Sequence, residues 1–361
     1  MHLIHNVWVE QAANWPVKST TAVLGYVEKQ RSFHTNEAYH MNLVIRALSS
    51  LFLISSPFFA GWVSADEGRE IRWNQPPGKL VSVGTHRLHL YCTKGEGPIV
   101  ILDAGLGGFS LDWFKVQSLL AENSIKACSY DRAGYGWSDR GPSPRATDQI
   151  VDELSALLEA AELPPPYIMV GHSFGGFNMI YFAKVYASRT EGLVLVDSSH
   201  PQQAERLPSI PNDKDIADLG NFQRVFTGKT LPLYPAEIRN LVGAILSAPK
   251  TADTERREYV NYLISAAQIS QSGSLKDMPL VVVSRGEQEW SDDPLGEALY
   301  LAWMDMQKDL SKLNASGTQI TAEGSGHLIP LEKPEIVVDA IQSVIADVNK
   351  KAAHLQGGPT E

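Results

Sequence analysis

The sequence predicts an α/β protein with a mostly parallel, eight-stranded sheet flanked by helices. From Lys79 onward, short apolar segments alternate with helical segments, which is the order that builds such a sheet. The run Ile99–Leu102 is apolar throughout, as expected of a strand buried on both faces. A stretch at about 201–277 breaks the alternation with six prolines and two helical pieces, Ala236–Leu246 and Thr254–Ile269. So long an insert predicts a helical cap or lid after the sixth strand.

Each element follows from a local pattern. The first two strands form a hairpin that turns near Gly84. A helix is expected over Leu111–Ala121, and a second begins at Thr147, carries apolar residues at helical spacing and stops before Pro164. The last helix starts near Pro334, a favourable first-turn residue. The eight predicted strands are Lys79–Val83, Leu88–Thr93, Ile99–Leu102, Ala127–Tyr130, Tyr167–Val170, Leu193–Val196, Leu280–Val283 and Gln319–Ala322.

Composition excludes several function classes. The 361 residues are 43% apolar and 20% charged, which suits a globular domain with a sizeable core. The net charge is −10 and no Lys/Arg-rich run occurs, so a nucleic-acid partner is not expected. The ten histidines form neither an HExxH motif nor a Cys/His cluster, so neither a metal site nor a cofactor is predicted. The expected partner is a small molecule.

The N-terminal region predicts export. Arg46, an apolar stretch from Leu48 to Trp62 and the small residues before Asp66 match a secretory signal peptide over 41–65. An uncleaved membrane anchor is the alternative, although Pro57 interrupts the stretch and a span needs about 20 apolar residues. Residues 1–40 are expected to be untranslated, with Met41 as the true start, or poorly ordered. We expect a linker at 66–78, the α/β domain at 79–350, a flexible tail at 351–361, and no membrane span in the mature chain, which would be periplasmic or secreted.

One motif points to nucleophilic catalysis. Gly171-His172-Ser173-Phe174-Gly175-Gly176 is a GxSxG sequence that follows an apolar strand and precedes a helix. In that setting the serine occupies a sharp, strained turn, and small residues at Gly171 and Gly175 let the strand and helix approach. The helix N-terminus beneath the serine favours developing negative charge. Ser173 is therefore the candidate nucleophile.

Three further segments extend the pattern into a resemblance to the α/β-hydrolase fold family, over roughly 80–348. Asp103–Gly108 resembles the family's oxyanion loop, with Ala104 where a histidine is usual. Asp131–Asp139 resembles its D-x-x-G-x-G-x-S turn, and Gly324–His327 lies where the family places its catalytic histidine. The resemblance implies that His327 is the general base, and that the backbone N–H groups of Leu106 and Phe174 form the oxyanion hole.

The acid that orients His327 has two candidates. The family usually carries it after the seventh strand, and there Glu289 is the nearest match. A minority of members use an acid after the sixth strand, which is Asp197 in this sequence. An aspartate that ends an apolar strand lies at the sheet edge where open α/β sheets bind ligands. We favour Asp197 and keep Glu289 as the alternative.

The implied activity is cofactor-free hydrolysis of a carboxylic ester, lactone or related acyl substrate through an acyl-enzyme. An aminopeptidase of small peptides or an acyltransferase would use the same residues. A non-enzymatic binding protein on this scaffold is a third possibility, because a fold does not fix a function.

The two cysteines leave one question open. Cys92 and Cys128 fall in the second and fourth strands, which are neighbours in the family's sheet order of 1-2-4-3-5-6-7-8. A disulfide needs Cα atoms within about 7 Å of each other, so bridging depends on the strand register. The alternatives are one bridge, which an exported protein would keep, or two buried free thiols.

Overall fold

A computed structural model of the chain describes residues 76–207 and 228–356. The predicted extension at 1–40, the signal peptide at 41–65 and the linker up to residue 75 lie outside the described residues. The same holds for 208–227 of the predicted cap and for 357–361 of the predicted tail.

The sheet has eight strands in the order β1-β2-β4-β3-β5-β6-β7-β8, which confirms the predicted architecture. β1 pairs with β2 and β2 with β4 in antiparallel fashion, and every later pairing is parallel. The carboxyl ends of β3 to β8 therefore meet at one edge, where the candidate residues gather. The strands are β1 (Lys79–Ser82), β2 (Arg87–Cys92), β3 (Glu96–Asp103), β4 (Ile125–Tyr130), β5 (Tyr167–His172), β6 (Thr190–Val196), β7 (Leu280–Arg285) and β8 (Gly317–Ala322).

Ten α-helices lie wholly within the described residues. They are α1 (Phe114–Glu122), α2 (Thr147–Ala160), α3 (Phe174–Val185), α4 (Gln203–Arg206), α5 (Arg239–Leu246), α6 (Pro249–Val260), α7 (Tyr262–Gln271), α8 (Pro294–Leu310), α9 (Ile329–Glu332) and α10 (Pro334–Gln356). Short 3-10 helices span Ser110–Trp113, Ala187–Arg189, Leu231–Leu233 and Ala236–Ile238.

Each face of the sheet carries its own apolar core. Along β3, Ile99 and Ile101 point into a core shared with α2 and α3, whereas Val100 and Leu102 point into a second core shared with α1 and α10. This alternation follows from the two-residue period of a strand. It explains why the strand reads as continuously apolar, since both of its faces are covered.

Helices α5, α6 and α7 lie in the insert between β6 and β7, where helical pieces were expected. Helix α8 was not anticipated from the sequence. It begins after Asp293, whose side chain accepts a hydrogen bond of 2.8 Å from the Gly296 N–H and caps the helix. Helix α10 continues to Gln356, through the first residues of the predicted tail.

Cys92 and Cys128 lie directly opposite each other in the β2–β4 ladder. Their Cα atoms are 4.0 Å apart, and the two sulfur atoms form a disulfide. The register that the sequence left open thus favours the bridge. In the described residues no helix has the length and apolarity to cross a membrane, and no cluster of His, Cys, Asp and Glu is arranged to hold a metal ion.

Candidate active site

Ser173 occupies the turn between β5 and α3 with φ 52° and ψ −122°, a strained conformation for a residue with a side chain. Its flanking glycines are required sterically. A Cβ on Gly171 would lie 2.5 Å from the Gly175 carbonyl oxygen, and one on Gly175 would lie 2.3 Å from that of Asp103. Strand, turn and helix can therefore pack this closely only with glycine at both positions. The half-buried serine lies at the N-terminus of α3, as the GxSxG pattern predicts.

Asp197 and His327 meet at the same edge of the sheet. Asp197 follows β6 and is fully buried, and His327 follows β8. The Asp197 Oδ2 atom lies 2.6 Å from His327 Nδ1. This is the contact expected of an acid that orients a histidine base, with the other ring nitrogen left for the nucleophile.

Two residues that the sequence did not single out for this role hold the Asp197 carboxylate. The Arg285 side chain donates from Nε to Oδ2 at 2.8 Å, and the indole Nε1–H of Trp303 donates to Oδ1 at 2.7 Å. The Arg285 guanidinium also stacks on the rings of Trp290 and Trp303, at 4.8 and 5.1 Å. Burial alone would raise the pKa of Asp197. The adjacent guanidinium and the hydrogen bond with His327 outweigh burial and hold that pKa well below its usual range.

Glu289, the alternative acid, contacts the backbone of His327 rather than its ring. Its Oε2 atom accepts the His327 N–H at 2.5 Å, and its carboxylate lies 3.4 Å from both Arg285 and Lys229. A Cβ on Gly326 would collide with this carboxylate at 2.4 Å. Glu289 is thus placed to fix the loop that carries His327.

His172 packs against the candidate base. Its Nε2 lies 2.8 Å from the His327 carbonyl oxygen, and the two ring centroids are 4.6 Å apart. Burial, together with the neighbouring His327, lowers the pKa of His172 to about 3. The ring is therefore neutral near pH 7, and its Nε2 must carry the proton because a carbonyl only accepts. This bond ties the elbow to the histidine loop.

The loop after β3 approaches the serine closely. A Cβ on Gly105 would lie 3.1 Å from the Ser173 Cβ, so the backbone at 105–106 borders the nucleophile. Within the described part of the chain, no hydrogen bond uses the backbone N–H of Leu106 or Phe174. Both donors remain available for an anion, as an oxyanion hole requires.

A buried arginine supports this loop. Arg132 donates to the carbonyl oxygens of Ala104 and Gly105, at 2.6 and 2.8 Å, and to Asp103 at 2.8 Å. Its remaining donors reach the α6 residue Glu258 in two bonds of 2.9 Å. The Tyr135 hydroxyl also donates to Glu258 at 2.9 Å. We call this group the Arg132 cluster: Asp103, Arg132, Tyr135 and Glu258.

The fold and this arrangement define a class of protein: hydrolases with a nucleophile elbow at the carboxyl edge of a mostly parallel sheet. The chain belongs to the alpha/beta hydrolase family, whose model matches residues 99–340. Among curated proteins it is similar to the uncharacterized protein YqjL of Bacillus subtilis. The two are 26% identical over 278 residues, which cover 77% of this chain and 95% of YqjL.

Solved structures show the same fold. A thermophilic esterase from Thermogutta terrifontis matches with a TM-score of 0.53 and 21% identity, covering 74% of this chain and 97% of the esterase. The enol-lactonase from Burkholderia xenovorans LB400 matches with a TM-score of 0.53 and 17% identity, covering 74% and 100% of the two chains. The structural matches establish the shared architecture, and sequence identities this low leave the substrate open.

Proposed function

We propose that this protein hydrolyses a carboxylic ester, lactone or related acyl substrate through an acyl-enzyme intermediate on Ser173. The observation that carries the proposal is the 2.6 Å contact between Asp197 and His327 beside a serine in a strained elbow. A serine hydroxyl is a poor nucleophile at its free pKa, so it needs such a base.

The chemistry follows from these positions. The Ser173 Oγ attacks the acyl carbonyl carbon while His327 Nε2 takes the hydroxyl proton. The carbonyl oxygen becomes an oxyanion, which the N–H groups of Leu106 and Phe174 stabilise. Loss of one such donor costs on the order of 3 kcal/mol of transition-state stabilisation in other enzymes. The tetrahedral intermediate then expels the alcohol, which receives the proton from His327 and leaves the acyl group on Ser173.

Deacylation repeats these steps with water. His327 takes a proton from water, the hydroxyl adds to the acyl carbon, and the acid leaves as the proton returns to Ser173. Throughout, Asp197 stabilises the protonated imidazole and fixes its orientation. The low pKa of Asp197 supports this role because the carboxylate stays ionised across the physiological range.

Covalent labelling tests the proposal. A fluorophosphonate probe should label the wild-type protein, and Ser173→Ala should abolish both labelling and turnover in a panel of esters, lactones and aminoacyl amides. Ser274→Ala is the matched control, because Ser274 is exposed and lies outside the site. Labelling that survives Ser173→Ala would remove Ser173 from the mechanism.

A further inference from the structure

A second acidic residue of α6 lies one helical turn before Glu258. Glu255 is 4% exposed, and within the described residues it makes no hydrogen bond or ion pair. A largely buried carboxyl with no protein partner is unfavourable, and this makes it a candidate for ligand binding.

Glu255 faces the candidate oxyanion loop. A Cβ on Gly107 would lie 3.3 Å from both Cδ and Oε1 of Glu255, and Gly107 directly follows Leu106. Gly105, two residues earlier, borders Ser173. Glu255 therefore lies against the loop whose Leu106 N–H is the candidate oxyanion donor, two residues beyond the glycine that borders Ser173.

The charges around Glu255 favour a cation. The positively charged Arg132 side chain forms ion pairs with two carboxylates, those of Asp103 and Glu258. Glu255 is a third carboxyl in this region, and among the described residues it has no positively charged partner. Burial, together with Glu258, raises the pKa of Glu255 to about 7. A positively charged ligand would offset the excess negative charge and favour the ionised form of the Glu255 carboxyl.

We propose that Glu255 binds an ammonium group on the substrate, so that the site prefers esters or lactones carrying a cationic nitrogen a few bonds from the reacting carbonyl. This inference rests on the proposed hydrolase function and names the substrate class of that same site. An ammonium–carboxylate contact shielded from water is a strong, directional interaction, and it would position the acyl carbon against Ser173.

Matched substrates test the inference. Methyl esters of ω-amino acids of graded length are compared with methyl alkanoates of the same length, and aminoalkyl acetates with alkyl acetates. The wild type should prefer the amino member of at least one pair. Glu255→Gln should lower kcat/KM for the amino ester by at least about tenfold, the size of a lost charged hydrogen bond, and leave the neutral ester nearly unchanged. Glu255→Lys should reverse the preference toward half-esters of dicarboxylic acids.

Glu237→Gln is the matched control, since Glu237 is an exposed glutamate of the same insert. Equal losses on amino and neutral esters in Glu255→Gln would overturn the inference, because they would indicate a structural role. The inference would also be overturned, without any variant, if the wild-type enzyme showed no preference for amino esters and was not inhibited by alkylammonium ions. If the enzyme hydrolyses neutral esters and shows no preference for amino esters, only this inference is wrong. If no ester is turned over in a Ser173-dependent way, the proposed function is wrong.

Discussion

The guanidinium of Arg132 donates two parallel hydrogen bonds of 2.9 Å to the carboxylate of Glu258, and both side chains are buried. Arg132 follows β4, whereas Glu258 belongs to a helix of the insert, 126 positions further along the chain. The same guanidinium holds two carbonyl groups of the candidate oxyanion loop. The insert and the loop are therefore mechanically connected through one side chain.

Arg132→Lys should lower kcat more than it raises KM. A lysine keeps the charge but cannot hold Glu258 and the two loop carbonyls at once. Displacement of the loop by about 1 Å would cost on the order of 100-fold in rate. Steady-state kinetics and thermal unfolding check this, with Arg140→Lys as the control because Arg140 forms a half-exposed ion pair with Asp253 of the insert. Full kcat with only a lowered Tm would mean that Arg132 stabilises the fold and does not position the loop.

Asp197→Asn should reduce kcat by on the order of 10³–10⁴-fold, since an amide leaves the histidine in the wrong tautomer. Glu289→Gln should cost less than about tenfold, because its amide oxygen can still accept the His327 N–H. Both variants are isosteric, so each controls for the other. The opposite ranking in kcat would move the acid to Glu289, after β7.

The proposed ammonium site should give a characteristic pH profile. The pKa of Glu255 is raised to about 7, so this carboxyl is neutral below that pH and ionised above it. The ratio of kcat/KM for an amino ester to that for its neutral counterpart should therefore fall as the pH drops below about 7. Taking the ratio cancels the titrations that affect both substrates equally. In Glu255→Gln the ratio should be flat; a flat ratio in the wild type would contradict the assignment.

The Cys92–Cys128 bridge should leave no reactive thiol in denatured, unreduced protein. The bonded cysteines are 36 positions apart, and a loop of that length contributes about 3–4 kcal/mol of stability in the chain-entropy model. Paired Cys92→Ser and Cys128→Ser substitutions should lower the free energy of unfolding by up to that amount while preserving activity. Two titrated thiols per chain would rule out the bridge.

Export is a separate proposal, because 41–65 lies outside the described residues. Intact mass of the protein from its native host should place the first residue near Asp66, after removal of the signal peptide. The bridge is compatible with an oxidising compartment, where disulfides persist. A chain that begins at Met1 and is recovered from the cytosol would refute the signal interpretation.

The local sequence was sufficient to predict features that depend on neighbouring residues alone. The elbow at Ser173 could be predicted because GxSxG requires a strand before it and a helix after it, and both are visible in the apolar pattern. The eight strands and their order followed from the same alternation and the family resemblance. Strand ends were less accurate: β3 starts at Glu96 rather than Ile99, because ladder pairing rather than apolarity sets its limit.

Several contacts between distant segments have no local signal in the sequence. Arg285 and Trp303 reach Asp197 from β7 and from the unanticipated helix α8, and neither carries a motif that marks it. Glu255 and Glu258 appear as ordinary charges on a polar helix until the fold buries them. The opposition of Cys92 to Cys128 depended on a register that no local pattern specifies.

The β1–β2 hairpin has a further consequence for behaviour in solution. It covers the side of β4 that would otherwise form an open sheet edge, and the cysteine pair is one of the three register pairs that join β2 to β4. An uncovered β4 would present a row of free N–H and C=O groups, which is a template for strand exchange with another molecule. The covalent link keeps this cover attached while neighbouring parts fluctuate. The bridge therefore opposes strand exchange between molecules, because a transiently loosened hairpin stays tied to β4.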